Sequence, residues 1–221
     1  MRFKKIFLSK SVRTTLVVVV VLLAVTSVLW RSYIRRSTTI TLGDYDLTYA
    51  IDWGGILGMT EAFRFSRGPL SIFGASSGDL EIWKKPYNAG VTLYVVPDGS
   101  RYFLGSNFVD FVFEPKTGRL TKKCDLGPLP LTALGNRLRR TRDSSERDAI
   151  DPISHVLEAT PETIGAPPTE PPASKYYSGL NYIGSFKLIY RDPKSSQGDD
   201  VGFVPPSKAP EPRFGLDYKC G

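Results

Sequence analysis

Between Tyr45 and Trp53 hydrophobic and polar positions alternate. Tyr45, Leu47, Tyr49, Ile51 and Trp53 share one phase, and Asp46, Thr48, Ala50 and Asp52 share the other. A period of two over nine residues predicts a β-strand with one buried face, because successive side chains leave a strand on opposite sides. Gly54–Gly55 ends it. Shorter strand candidates follow at close intervals: Ala62–Ser66, Leu70–Phe73, Leu80–Lys84, Val91–Val96 and Tyr102–Leu104. Pro97–Ser100 supplies a turn between the last two. Phe108–Glu114 and Arg119–Lys123 predict a hairpin around Pro115–Gly118. The aromatic residues crowded here serve most simply as the core of a sheet.

After this region the pattern changes. Leu131, Leu134 and Leu138 have helical spacing, although Gly135 opposes it. Asp151–Pro152 suits the cap and first turn of a short helix, which Pro161 would stop. Residues 159–174 hold five prolines and little to bury, which predicts a polyproline-like linker or an exposed loop. Tyr176–Tyr190 returns to β character, and a second proline-rich run, Val204–Pro212, leads to the end of the chain. The expected body is therefore mainly β, a sandwich or barrel-like domain over residues 37–158 with a short helix and Pro-rich loops. A β segment over 175–221 is expected to pack on it.

The amino end follows neither period. No charge interrupts Thr14 to Trp30, and Leu16–Leu23 is unbroken Val and Leu. A run apolar on every side has no amphipathic face to bury and predicts a membrane-spanning helix, placed at 14–34. Seventeen residues rise about 25 Å, short for a hydrocarbon core but acceptable with Tyr33 and Ile34 added. Trp30 and Tyr33 sit where an interfacial aromatic belt would lie. Five basic residues precede the run (Arg2, Lys4, Lys5, Lys10, Arg13) and three follow it (Arg31, Arg35, Arg36). Positive charge is retained on the cytoplasmic side, so residues 1–13 are expected there and the body outside a plasma (inner) membrane. The alternative is a cleaved signal, with Val25 and Ser27 or, less well, Ala24 and Thr26 before the cut, and a secreted product. That cut would fall inside the apolar run and leave Val28-Leu29-Trp30 on the mature end.

Charge and composition sharpen this picture. The 221 residues carry a formal charge of +7. Eight of the 29 Lys and Arg lie within residues 1–36, where there is no acid, so the remainder holds 21 basic against 22 acidic residues. The basic character belongs to the membrane segment; the body has no global attraction for phosphate backbones, and no nucleic-acid partner is expected. The bilayer is the implied partner. Cys124 and Cys220, the only cysteines, are a disulfide candidate in an oxidising compartment. Their loop of about 95 residues would be worth roughly 4–5 kcal/mol in the chain-entropy account.

Catalytic patterns are few. Gly74–Gly78 reads "GASSG", the G-x-S-x-G pattern of a serine-hydrolase elbow, with Ser76 as nucleophile. His155, the only histidine, lies downstream, with Asp143, Asp148 and Asp151 between them. The elbow needs a helix after the serine, yet "DLEIWKKP" reads as another strand, so Gly74–Gly78 is expected to be a β-turn. An exported serine hydrolase using Ser76 and His155 stands as the alternative function. One histidine offers no metal pair, and no metal or other cofactor is expected. Arg137, Arg139, Arg140 and Arg142, with Arg147 nearby, form a candidate surface for an anionic partner or an envelope protein, partly neutralised by Asp143, Glu146 and Asp148. The expectation is a single-pass membrane-anchored protein whose extracytoplasmic β domain binds or scaffolds.

Overall fold

A computed structural model describes residues 15–23, 25–26, 35–55, 58–68, 74–82, 90–106, 109–126, 158–191 and 200–212. The protein is mainly β, and the described residues form two sheets. The first contains β1 (Arg35–Leu42), β2 (Tyr45–Gly55), β3 (Gly58–Ser66), β4 (Gly74–Ser76) and β5 (Leu80–Ile82). Its order is β1-β2-β3, with β4 and β5 sharing the far edge of β3, all antiparallel. The second contains β6 (Val91–Val95), β7 (Tyr102–Gly105), β8 (Asp110–Glu114), β9 (Arg119–Lys122), β10 (Glu158–Ala159), β11 (Asn181–Ile189) and β12 (Asp200–Val204). Strands β6 to β9 form a meander, and β11 inserts between β6 and β12. Among the described strands only the two-residue β10 runs parallel to its neighbour. The segment after the proline-rich run thus belongs to the same sheet as residues 91–122.

The two sheets share one core. The alternation in β2 turns Tyr45, Leu47, Tyr49 and Ile51 inward, and β3 adds Met59, Phe63 and Phe65 in the same phase. The second sheet answers with Leu93, Leu104, Phe111, Phe113, Phe186 and Phe203. Aromatic pairs bridge the layers: Phe65 stacks on Phe113 at 3.7 Å between centroids, Tyr49 on Phe186 at 5.1 Å, and Phe63 meets Phe111 edge-on at 4.9 Å. Pairs of this kind add about 0.5–1.5 kcal/mol beyond area burial. The Tyr45 hydroxyl also donates to the Pro115 carbonyl at 2.7 Å, tying β2 to the β8–β9 turn. A smaller cluster covers the other face of the second sheet, where Tyr177 and Leu180 pack on Tyr94, Phe103 and Tyr182.

One irregularity in β11 is imposed by a glycine. Its register against β6 shifts between Tyr182 and Gly184. Gly184 has φ +148°, and a Cβ there would meet the Phe203 ring and the Val204 carbonyl oxygen. The shift brings Ile183, Phe186 and Leu188 to the main core while Tyr182 serves the outer cluster.

Three sequence expectations change here. The hairpin turns at Pro97–Ser100 and Pro115–Gly118 are present. Gly74–Ser76, expected within a turn, is instead strand β4 on β3. Arg35 and Arg36, read as the flank of the apolar run, already begin β1, in unbroken register with β2 from Arg35↔Asp52 to Leu42↔Tyr45. At the amino end, residues 15–23 and 25–26 are helical. Among the described residues no helix is long and apolar enough to cross a membrane. The remaining residues of the expected span, and the short helix expected from Asp151, lie outside the described residues.

Candidate binding groove

Residues 159–174 run along the fold without a sheet of their own. Five prolines remove N–H donors, so the segment cannot form a ladder and is instead pinned at points. A 3-10 turn spans Pro161–Thr163. The Gly165 N–H donates to the Phe203 carbonyl at 3.0 Å, and the Pro172 carbonyl accepts from the Tyr182 N–H at 2.8 Å. Between these pins residues 164–171 form a strap across one side of the two layers.

The strap faces β1, and a groove of about 900 Å³ lies between them. One wall is Thr38–Gly43, six consecutive residues of β1 and its turn; the other is Ile164–Thr169 with Pro171. Ile183, Phe203 and Val95 floor it, and Pro97, Gly99 and Tyr102 of the β6–β7 hairpin close one end. The wall from β1 is made of both its faces. Ile40 and Leu42 are buried in the core, whereas Thr39 and Thr41 are exposed, with hydroxyls bonded to Thr48 at 2.8 Å and Asp46 at 3.0 Å on β2. Among the described residues the lining carries no charged side chain. It offers backbone polar groups, hydroxyls and apolar surface.

Ser76 lies elsewhere, exposed on the short edge strand β4, opposite Arg64 of β3. Its Oγ accepts the Gly78 N–H at 3.2 Å, while the neighbouring Ser77 Oγ accepts the Phe63 N–H at 3.0 Å. Gly74 is there for close approach: a Cβ would run into the Phe65 carbonyl. The glycine and serines of "GASSG" thus dock an edge strand, and no helix follows Ser76 before β5. His155, Arg137, Arg139, Arg140, Arg142 and Cys220 lie outside the described residues. Cys124 falls in a 3-10 turn, Lys123–Leu126, after β9.

Sequence reading missed the buried acids, Glu61 foremost. Glu61 follows the inward phase of β3 and is 3% exposed. Its Oε2 accepts the Tyr49 O–H at 2.6 Å and the Gly90 N–H at 3.0 Å, so it joins β2 and β3 to the start of β6. Burial pushes its carboxyl up to about 7, against the lowering effect of these two hydrogen bonds. Burial likewise raises the Tyr49 phenol, with Glu61 adding to the rise. The signal was available: in "MTEAFRF" the acid occupies a core-facing position. A second buried acid, Glu211, accepts the Ser174 O–H at 2.5 Å and the Lys175 N–H at 2.7 Å, fastening the second proline-rich run to the outer cluster. Burial raises the nearby Tyr94 phenol most, with Tyr177 and Glu211 adding to it.

Among the described residues no group of three or more His, Cys, Asp or Glu is placed to hold a metal ion. Comparisons with family models, curated proteins and solved structures find no match for this chain.

Proposed function

We propose that this chain is a single-pass membrane protein with a cytoplasmic amino terminus. Its two-sheet domain works outside the cytoplasm by binding, with the groove between β1 and the strap as its site. One observation carries the reading. Leu16–Leu23 and Val25, an uncharged helical run, are each between 47% and 65% exposed. Nine exposed Leu and Val side chains among the eleven described helical residues need an apolar surrounding, and a bilayer supplies one. The excess of basic residues before the run favours the body outside. The groove supports the binding role because it is concave and built from pinned segments.

Alkaline carbonate extraction of membranes tests the anchor, and protease added from the outer side tests the orientation. Retention in the pellet with digestion of the β domain is expected. Release into the soluble fraction, or a mature polypeptide beginning near Val28, overturns the reading.

A further inference from the structure

We infer that the groove takes an extended polypeptide segment of a partner protein, which pairs as an added strand on the open edge of β1. The inference rests on the groove being the binding site and names what fills it. Its basis is a comparison of sheet edges. Strands β4 and β5 have three residues each, β10 has two, and β9 has four with exposed Arg119 and Lys122. The far edge of β12 is covered where Gly165 bonds to Phe203. Short, charged or covered edges are the usual protection against strand addition. β1 has none of it. It is eight residues long, in continuous register with β2, without proline or bulge, and uncharged from Ser37 to Gly43. Among the described residues no strand pairs with its other edge.

The geometry of the groove selects the occupant. In an antiparallel pair every second residue directs both its N–H and its C=O away from the partner. β1 therefore presents a row of such groups to the groove. Pro167, Pro168 and Pro171 on the opposite wall have no N–H, so the strap cannot form a continuous ladder with that row. A second copy of this chain fits poorly, because its β1 would bring β2 with it to the place where the strap stands. A lone extended segment fits between the walls. At about 3.3 Å per residue, six or seven residues cover the length of β1 facing the groove. Alternate side chains then point down onto Ile183, Phe203 and Val95.

Charge sets the direction. Arg35 is exposed at one end of β1, and Asp44 is exposed just past the other. A segment continuing the antiparallel sheet runs opposite to β1, so its amino end lies near Asp44 and its carboxyl end near Arg35. The complementary sequence is basic first, alternating and partly apolar in the middle, and acidic last.

The test uses the full chain in detergent micelles and a blocked, fluorescent decapeptide, Lys-Val-Thr-Val-Thr-Val-Thr-Val-Thr-Asp, which spans the ten positions from Arg35 to Asp44. Two further forms carry N-methyl groups on alternate residues, one on each edge. Expected are saturable binding by anisotropy, a loss of about tenfold or more for one N-methylated form only, and slowed amide exchange at Ser37–Leu42. Exchanging the terminal Lys and Asp of the peptide weakens binding, and an Asp44→Lys variant of the protein restores part of it. No binding at millimolar peptide, equal binding of both N-methylated forms, or protection confined to other strands overturns the inference. So does concentration-dependent dimerisation that protects the same β1 amides without peptide. Carbonate release would overturn the anchored reading and leave peptide binding standing, whereas failure of the peptide leaves the anchor untouched.

Discussion

The Tyr49 hydroxyl donates to Glu61 Oε2 at 2.6 Å, inside a core where both side chains are buried. The same oxygen accepts from Gly90, so one carboxylate spans two layers. Protonation of this group is coupled to folding. Its carboxyl sits at about 7 in the fold, against an ordinary value near 4.5. A raised folded value means that the fold prefers the protonated acid. The favourable contribution is complete below about pH 4.5 and is lost as pH climbs to about 7. Its size is on the order of 3 kcal/mol. Urea unfolding from pH 4 to 8 should show this slope in the native chain and a flatter one in Glu61→Gln. Equal slopes would show that Glu61 is not the group responsible.

Tyr49→Phe removes one of the two donors and keeps the ring on Phe186. Above pH 7 it should lower stability by about 1–3 kcal/mol, the cost of leaving a buried acceptor short of a partner. Below pH 4.5 the loss should be smaller, because the acid is then neutral. Denaturant midpoints at pH 4 and 8 compare the two.

Gly184→Ala should destabilise by about 2–4 kcal/mol, combining a disfavoured backbone conformation with a collision against Phe203 and Val204. Thermal unfolding measures it. A loss below about 0.5 kcal/mol would mean that the β11 irregularity relaxes freely.

Glu211→Ala should release residues 205–212 from Ser174 and Lys175 beside the outer cluster. Faster amide exchange at Lys175 and earlier proteolysis in the second proline-rich run are the expected readouts, with a stability loss of about 1–3 kcal/mol. Unchanged exchange at Lys175 would contradict the role assigned to this carboxylate.

Ser76→Ala should leave stability within about 0.5 kcal/mol, because the side chain is exposed and bonded only locally. A fluorophosphonate probe should not label Ser76, whose hydroxyl lies within a pleated edge strand and not on a strand-to-helix elbow. Labelling abolished by Ser76→Ala would restore the hydrolase alternative.

How much was legible follows from the range of each signal. Tyr45–Trp53 was readable because period-two alternation is local and strong. Glu61 could be read as inward from its phase, although not its partner Gly90, which is 29 positions away. β1 was harder: "RRSTTITL" buries only Ile40 and Leu42, and its arginines matched a membrane flank equally well. Gly74–Ser76 misled because glycine and serine suit both turns and tightly docked edges, and only the approach to the Phe65 carbonyl distinguishes them. The groove was beyond sequence reading. Its walls come from residues 38–43 and 164–171, and the hairpin at 95–102 reaches it only through the placement of β11 between β6 and β12.

β1 has two duties at once: Ile40 and Leu42 anchor it in the core, and its outer edge borders the groove. A guest bonded along that edge would hold the strand that closes one flank of the two-sheet core. Occupancy and folding then share one equilibrium, so a guest at a hundred times its Kd adds about 2.7 kcal/mol of stability and the melting temperature rises with it. Heat resistance of the empty domain is in that case a lower bound on its resistance when engaged.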